Sequence, residues 1–121
     1  MVYVLPAFPP EVPLKSYIQA IPELINCCNY VNDVLSFYKE EIVGEQANFV
    51  TNMANCHRIS KIDALRRLAE DTAADALRAM KIVSGHPGAY KAAQAFVQGY
   101  IVFHLASPRY KLTELFKYQI E

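Results

Sequence analysis

The 121-residue sequence has no excess of charge of either sign, because twelve Lys and Arg residues balance twelve Asp and Glu residues. A chain without surplus positive charge is a poor candidate for binding nucleic acid or an anionic membrane surface. It has no apolar run long enough to cross a bilayer. Its N-terminal stretch, MVYVLPAFPP, lacks the basic start of a signal peptide. We therefore expect a soluble cytoplasmic protein with no nucleic-acid partner and no membrane span.

Cysteine and histidine are scarce and do not form a metal-binding pattern. Cys27 and Cys28 are adjacent, so they do not readily bridge to each other, and no CxxC pair suggests zinc. We interpret the cysteines as free thiols in a reducing compartment. His57, His86 and His104 show no ligand spacing, and we expect His104 to be packed rather than catalytic. A Gly-rich phosphate-binding loop is also missing.

The hydrophobic residues recur at the three- and four-residue spacing of helices, and no alternating strand pattern stands out. Prolines keep residues 1–13 irregular, so we predict a proline-rich lead followed by a single all-α domain at 14–121. Ser60 and Asp63 resemble a capping box that starts a helix, and Gly85 ends it. The predicted helices cover about 14–20, 22–42, 47–55, 60–84, 89–106 and 112–119.

Three oxygen-bearing side chains recur every four residues in the stretch NDVLSFYKE. On a helix, Asn32, Ser36 and Glu40 would project along nearly one line. An amide, a hydroxyl and a carboxylate form a set of hard oxygen ligands, which suits Mg²⁺ or Mn²⁺ rather than zinc. Because only one of the three is charged, the site would need waters and an anion such as diphosphate, which Lys39 is near enough to reach. The alternative interpretation is a solvated helix face.

The same stretch resembles the asparagine–serine–glutamate motif, the second metal-binding motif of class I terpene cyclases. The sequence around it is most similar to the fungal trichodiene synthase family. A second segment, QGYIVFHLASPRYKLTELF at residues 98–116, is similar to the family's segment that ends in an arginine–tyrosine pair contacting diphosphate. The two motifs occur in the family's order, and the likeness spans roughly residues 15 to 118. It implies an all-α bundle similar to the C-terminal half of the class I terpenoid synthase fold.

The resemblance also implies a role for each residue of the first motif. Asn32, Ser36 and Glu40 would bind one Mg²⁺ ion, and Lys39 would contact the diphosphate of the substrate.

In the second motif, the resemblance implies that Arg109 and Tyr110 are the catalytic pair that donates hydrogen bonds to the diphosphate. A planar guanidinium that stays charged matches phosphate oxygens well. Tyr100 and Phe103 match aromatic positions that line the cyclisation pocket, where their rings would stabilise carbocations. Plain core packing is the alternative for both aromatic residues.

The sequence departs from the family's pattern in two places. Ser107 and Pro108 stand where the family has an aspartate and a further arginine, which removes a charged support for Arg109. The family's aspartate-rich motif, which holds the other Mg²⁺ ions, has no counterpart in the sequence. The chain therefore resembles only the C-terminal half of the family's domain.

Two functional hypotheses follow from these residues. In the first, the chain belongs to a carbon–oxygen lyase that ionises and cyclises farnesyl diphosphate with Mg²⁺, and it lacks the aspartate-rich half of the site. In the second, it is a shortened, non-catalytic relative that binds a partner chain or an isoprenoid diphosphate. A half-domain would leave apolar helix faces uncovered, so we expect self-association through those faces.

Overall fold

Four α-helices account for most of residues 4–44 and 48–112, which are the residues that the computed structural model describes. Helices α1 to α4 span Ile21–Ile42, Phe49–His57, Lys61–Val83 and Pro87–Ala106. Short 3₁₀ turns occur at Leu5–Ala7, Leu14–Ser16, Ile18–Ala20 and Pro108–Tyr110. No strand occurs in the described ranges, and the predicted all-α class is confirmed. The predicted helix at 112–119 lies, apart from its first residue, outside the described residues.

The helix starts have local causes that the sequence displays. Pro22 lies in the first turn of α1, where its missing N–H is no loss. The side chains of Asn48, Ser60 and His86 cap α2, α3 and α4, each accepting a hydrogen bond from the backbone N–H three residues further on, at 2.8, 3.1 and 3.1 Å. The predicted start of a helix at Ser60 is therefore confirmed.

The predicted helix at 14–20 is wrong, because two separate 3₁₀ turns occupy this segment. Between them, Tyr17 has a φ of −137°, which is not helical. Its buried ring stacks on that of Phe8, with centroids 3.8 Å apart and planes 2° from parallel. Packing against the preceding segment thus interrupts the helical backbone at Tyr17.

The main apolar core joins the N-terminal segment to α1, α3 and α4. Small side chains on α3 and α4 let the helices approach closely, and larger ones from the first 24 residues fill the remaining space. Its buried members are Val4, Phe8, Val12, Tyr17, Ala20, Ile21, Leu24, Ala79, Val83, Ala89 and Ala93. The proline-rich segment is therefore part of this core.

A second buried cluster, formed by Val50, Ala54, Ala64 and Leu68, holds α2 against α3. The 3₁₀ turn Pro108–Tyr110 packs on α1. No helix in the described part of the chain is long and apolar enough to span a membrane. The main core holds α1 and α4 side by side, so that residues far apart in sequence meet between them.

Candidate active site

Ser36 and Glu40 lie one turn apart on α1 and are in direct contact. The Ser36 hydroxyl donates a hydrogen bond to Glu40 Oε1 at 2.8 Å. Ser36 is only 1% exposed, whereas Glu40 is half-buried. A hydroxyl at this depth requires a partner, and the carboxylate supplies it. Two of the three predicted metal ligands therefore present neighbouring oxygen atoms.

Asn32, the third predicted ligand, is held from the opposite helix. Its Nδ2 atom lies 3.0 Å from Nε2 of His104 on α4. The two residues are 72 positions apart in sequence. The contact anchors Asn32, the first of the three predicted metal ligands, to α4.

A further carboxylate, that of Asp33, lies near enough to Glu40 to feel its charge. Burial raises the pKa of the Asp33 carboxyl, and repulsion from Glu40 raises it further. Two such carboxylates concentrate negative charge, which a bound cation would offset. The sequence analysis missed Asp33, although it precedes Glu40 by seven residues, or about two helical turns.

Lys39, Arg109 and Tyr110 meet where the last 3₁₀ turn packs on α1. Lys39 Nζ lies 5.6 Å from the centroid of the Tyr110 ring, and Arg109 Cζ lies 5.7 Å from it. Both distances are within the range of about 6 Å over which a cation is attracted to an aromatic face. Tyr110 itself is 6% exposed. A cation from α1 and a cation from the 3₁₀ turn therefore both lie against the Tyr110 ring, and two positive charges at one residue suit an anion.

The aromatic residues predicted to line a pocket pack around His104. The His104 ring centroid lies 4.7 Å from that of Tyr100, 5.5 Å from that of Phe103 and 4.5 Å from that of Tyr110. Tyr100 is half-buried, but Phe103 is 58% exposed. His104 is 1% exposed, as expected for a packed histidine. Its contacts link Asn32 to the Arg109–Tyr110 pair, a role that the sequence analysis did not predict.

An apolar cavity of about 240 Å³, open to solvent, lies between α1, α3 and α4, and the predicted site residues are not among those that line it. Its walls include Val31 and Leu35 from α1, Ala73 from α3, and Val97 and Ile101 from α4. Val31 directly precedes Asn32, and Ile101 directly follows Tyr100. The helices that carry the polar residues thus also form an apolar space of a size that holds hydrocarbon.

Comparison with known proteins places the chain in a family. The model of the trichodiene synthase (TRI5) family matches residues 8–121. The chain belongs to the trichodiene synthase family. The resemblance of the sequence to that family is therefore confirmed.

Within the trichodiene synthase family, several curated relatives carry terpene synthase names. Alpha-cuprenene synthase COP6 from Coprinopsis cinerea is 42% identical over 115 residues, which are 95% of this chain and 35% of that protein. Terpene synthase 29 from Postia placenta is 40% identical over 102 residues, 84% of this chain and 30% of the relative. Trichodiene synthase from Fusarium pseudograminearum is 31% identical over 100 residues, 81% of this chain and 27% of the relative.

The chain thus spans about a third of the length of these trichodiene synthase family relatives. No solved structure matches the chain significantly. The family model covers the stretch that contains both motifs.

Arg109 lies in a turn whose two preceding residues carry no charge. Ser107 follows the end of α4, and Pro108 opens the 3₁₀ turn that carries Arg109. At these positions the chain offers no carboxylate to the guanidinium. The Tyr110 ring, 5.7 Å from Arg109 Cζ, is the neighbouring group that attracts it.

The three predicted ligands on α1 carry the types of oxygen atom that a hard divalent cation prefers. Asn32, Ser36 and Glu40 offer amide, hydroxyl and carboxylate oxygens, and the Ser36 oxygen keeps its lone pairs while its proton is donated to Glu40. Across residues 4–44 and 48–112, no three or more His, Cys, Asp and Glu side chains are grouped so that they could hold a metal ion. A metal ion at the predicted ligands would therefore be held in part by the neutral oxygens of Asn32 and Ser36.

Proposed function

We propose that the chain is the part of a terpene synthase that binds Mg²⁺ and diphosphate. The Mg²⁺ ligands would be Asn32, Ser36 and Glu40 on α1, and the turn with Arg109 and Tyr110 would bind the diphosphate. The activity we propose is the ionisation of farnesyl diphosphate and its cyclisation to a sesquiterpene, with residues 14–121 as part of the catalytic domain. Family membership supports this proposal, as do the terpene synthase names of the relatives. The observation that carries it is the contact of buried His104 with both Asn32 and Tyr110.

Asn32, Ser36 and Glu40 would hold the Mg²⁺ ion through one oxygen each. When bound, the ion neutralises charge on the diphosphate and makes it a better leaving group. The hydrogen bond from Ser36 to Glu40 keeps the carboxylate in place before the ion arrives. Burial raises the pKa of the Asp33 carboxyl, and repulsion from Glu40 raises it further; a cation bound at Glu40 would relieve that repulsion.

Lys39, Arg109 and Tyr110 would bind the diphosphate itself. Heterolysis of the carbon–oxygen bond sends the electron pair to the diphosphate and leaves an allylic cation on the hydrocarbon. Positive groups already held near the leaving oxygen stabilise this charge without reorganising. The ammonium of Lys39 and the guanidinium of Arg109 lie 5.6 and 5.7 Å from the centroid of the Tyr110 ring, and the fork of Arg109 is suited to phosphate oxygens.

Tyr100 and Phe103 would face the hydrocarbon part of the substrate. An aromatic face stabilises a nearby cation by about 0.5–2 kcal/mol. Phe103 is largely exposed in this chain, so its ring is accessible to a ligand. The apolar cavity between α1, α3 and α4 would accommodate part of the isoprenoid chain.

A second candidate function is a non-catalytic module that binds an isoprenoid diphosphate or a partner chain. It is favoured by the lack of any carboxylate-rich metal group in the part of the chain that the structure describes. Ionisation needs strong electrostatic stabilisation, and a site with one charged ligand supplies less of it than a site with several. Incubation of the chain with farnesyl diphosphate and Mg²⁺, followed by analysis of the volatile products, separates the two. A cyclic terpene supports the enzyme, and its absence in a chain that binds diphosphate supports the module.

The binding site is tested by thermal unfolding with Mg²⁺ and inorganic diphosphate. A ligand present at one hundred times its Kd stabilises the folded chain by about 2.7 kcal/mol. Glu40→Gln should abolish this rise, because the amide keeps an oxygen for the Ser36 hydroxyl but removes the charge that binds the ion. Glu41→Gln is the matched control, since Glu41 is exposed and pairs with Lys61 at 3.2 Å on the surface. A wild-type midpoint that ignores Mg²⁺ and diphosphate contradicts the proposed site, as does an undiminished rise in Glu40→Gln.

We also propose that the chain self-associates through apolar side chains that lie on its surface. The most exposed of these are Leu77, Ile62, Val102, Phe103 and Val43. Large apolar side chains exposed to water favour association. Light scattering should give a mass above the 13.7 kDa of one chain, and a monomer that does not bind a hydrophobic dye would contradict this proposal.

A further inference from the structure

The two hydrogen-bond contacts of His104 define which of its nitrogens carries the proton. Nδ1 lies 2.9 Å from the backbone oxygen of Tyr100, which can only accept a hydrogen bond, so Nδ1–H is the donor. Nε2 lies 3.0 Å from Nδ2 of Asn32, which can only donate, so Nε2 is the acceptor. Together the contacts select the neutral imidazole with its proton on Nδ1.

The same contacts define the orientation of the Asn32 amide. If the amide were turned over, Oδ1 would face Nε2 and would require a second proton on the imidazole. That arrangement would bury a charged ring in a position that is 1% exposed, which is costly. The donor end of the amide therefore faces His104, and Oδ1 points away from it.

We infer that His104 is a positioning residue, which orients the oxygen of Asn32 for the metal by accepting a hydrogen bond from Nδ2. This inference rests on the proposed function, in which Asn32 Oδ1 is a ligand of Mg²⁺. Hard cations bind the oxygen of an amide and not its nitrogen, so an amide that rotates freely offers the wrong end part of the time. A partner that orients a metal ligand typically contributes a factor of about 10–100 to metal affinity.

The position of His104 explains why its ring is a stable reference for Asn32. The ring is packed between Tyr100 and Tyr110, at centroid distances of 4.7 and 4.5 Å, and tied to the α4 backbone through Nδ1. Rotation of the ring would lose all three contacts. The same residue therefore orients a metal ligand and supports Tyr110, which the proposed function assigns to diphosphate binding.

Two substitutions separate orientation of Asn32 from simple packing. In His104→Gln the longer amide places an oxygen where Nε2 lies, so it can still accept from Asn32. In His104→Asn the shorter amide can donate to the Tyr100 oxygen but does not reach Asn32. With Mn²⁺ and inorganic diphosphate as the probes, we expect His104→Asn to weaken Mn²⁺ binding by about 10–100-fold, while His104→Gln keeps most of the affinity. Binding is measured by the loss of the free Mn²⁺ signal in electron paramagnetic resonance.

A double-mutant cycle tests whether His104 acts through Asn32. Once Asn32→Ala has removed the ligand, His104→Asn should cause no further loss of Mn²⁺ affinity. A full additional loss in that background overturns the inference, and so do equal losses in the two His104 variants. A wild-type chain that binds no Mn²⁺ in the presence of diphosphate overturns the proposed function, and the inference with it.

The hydrogen bond itself has a readout that needs no metal. In ¹⁵N NMR spectra of the labelled chain, Nδ1 of His104 should be protonated and Nε2 should not, with scalar coupling across the bond between Nε2 and Nδ2 of Asn32. The opposite tautomer overturns the positioning role, whether or not the chain binds diphosphate.

Discussion

Replacing Tyr110 separates the stability of the candidate site from its chemistry. The ring is 6% exposed and packs against His104 and Phe103, with centroid distances of 4.5 and 6.3 Å. An aromatic side chain buries about 150–250 Å² of surface, which stabilises the fold by about 4–6 kcal/mol at about 25 cal/mol per Å². Replacing a buried aromatic residue with alanine typically lowers the free energy of unfolding by about 3–5 kcal/mol. We therefore expect Tyr110→Ala to lower the free energy of unfolding by about 3–5 kcal/mol.

Tyr110→Phe keeps this ring and removes only the hydroxyl. Without ligand, its free energy of unfolding should stay within about 1 kcal/mol of wild type. With Mg²⁺ and diphosphate, it should lose about 1.5–3 kcal/mol of the ligand-dependent stabilisation, the usual contribution of a hydrogen bond to a charged group. Both variants are compared by urea unfolding, followed by circular dichroism of the helices, because the chain has no tryptophan.

The two variants test different contacts of Tyr110, the packing of its ring and the hydrogen bond from its hydroxyl. A loss below about 1 kcal/mol in Tyr110→Ala would mean that the turn Pro108–Tyr110 does not pack on α1 in solution. An unchanged response of Tyr110→Phe to diphosphate would mean that the hydroxyl donates no hydrogen bond to it.

The remaining predictions concern the core and the thiols. Leu24→Ala should lower the free energy of unfolding by about 2–5 kcal/mol, because Leu24 is fully buried. Leu77→Ala, the control, should change it by less than about 0.5 kcal/mol, because Leu77 is 71% exposed. Equal losses of the two variants in urea unfolding would argue against the described core. A thiol reagent at pH 8 should modify the exposed Cys56 rapidly, and Cys27 and Cys28 slowly, because burial raises their pKa to about 11 and about 12; three equally fast thiols would refute this. Above the ordinary thiol pKa of about 8.5, these two thiols stay protonated in the folded chain but ionise in the unfolded chain. The free energy of unfolding should therefore fall as the pH rises above this value, by up to about 1.4 kcal/mol per thiol for each pH unit. Replacing both with alanine should flatten that fall, and an unchanged slope would show that other groups cause it.

Much of the secondary structure follows from local sequence, because the interactions that start and end a helix are local. Pro22 and Ser60 mark the starts of α1 and α3 by supplying what the first turn needs. The segment 14–20 is the exception, because the stacking of Tyr17 on Phe8 outweighs the helical pattern. Helix patterns describe a segment's own preference, and packing with another segment can override it.

In the candidate site, too, some contacts follow from local sequence and others depend on tertiary packing. The sequence by itself determined that Ser36 and Glu40 would lie together, since four residues make about one helical turn, and the two motifs identified the family. Only the tertiary structure decided that His104 joins Asn32 to Tyr110, because that contact depends on how α4 and the last 3₁₀ turn pack against α1. It likewise decided that Val4, Phe8 and Val12 belong to the main core. Hydrophobic burial brings such distant residues together without directional preference, so periodicity along the chain does not encode which of them will touch.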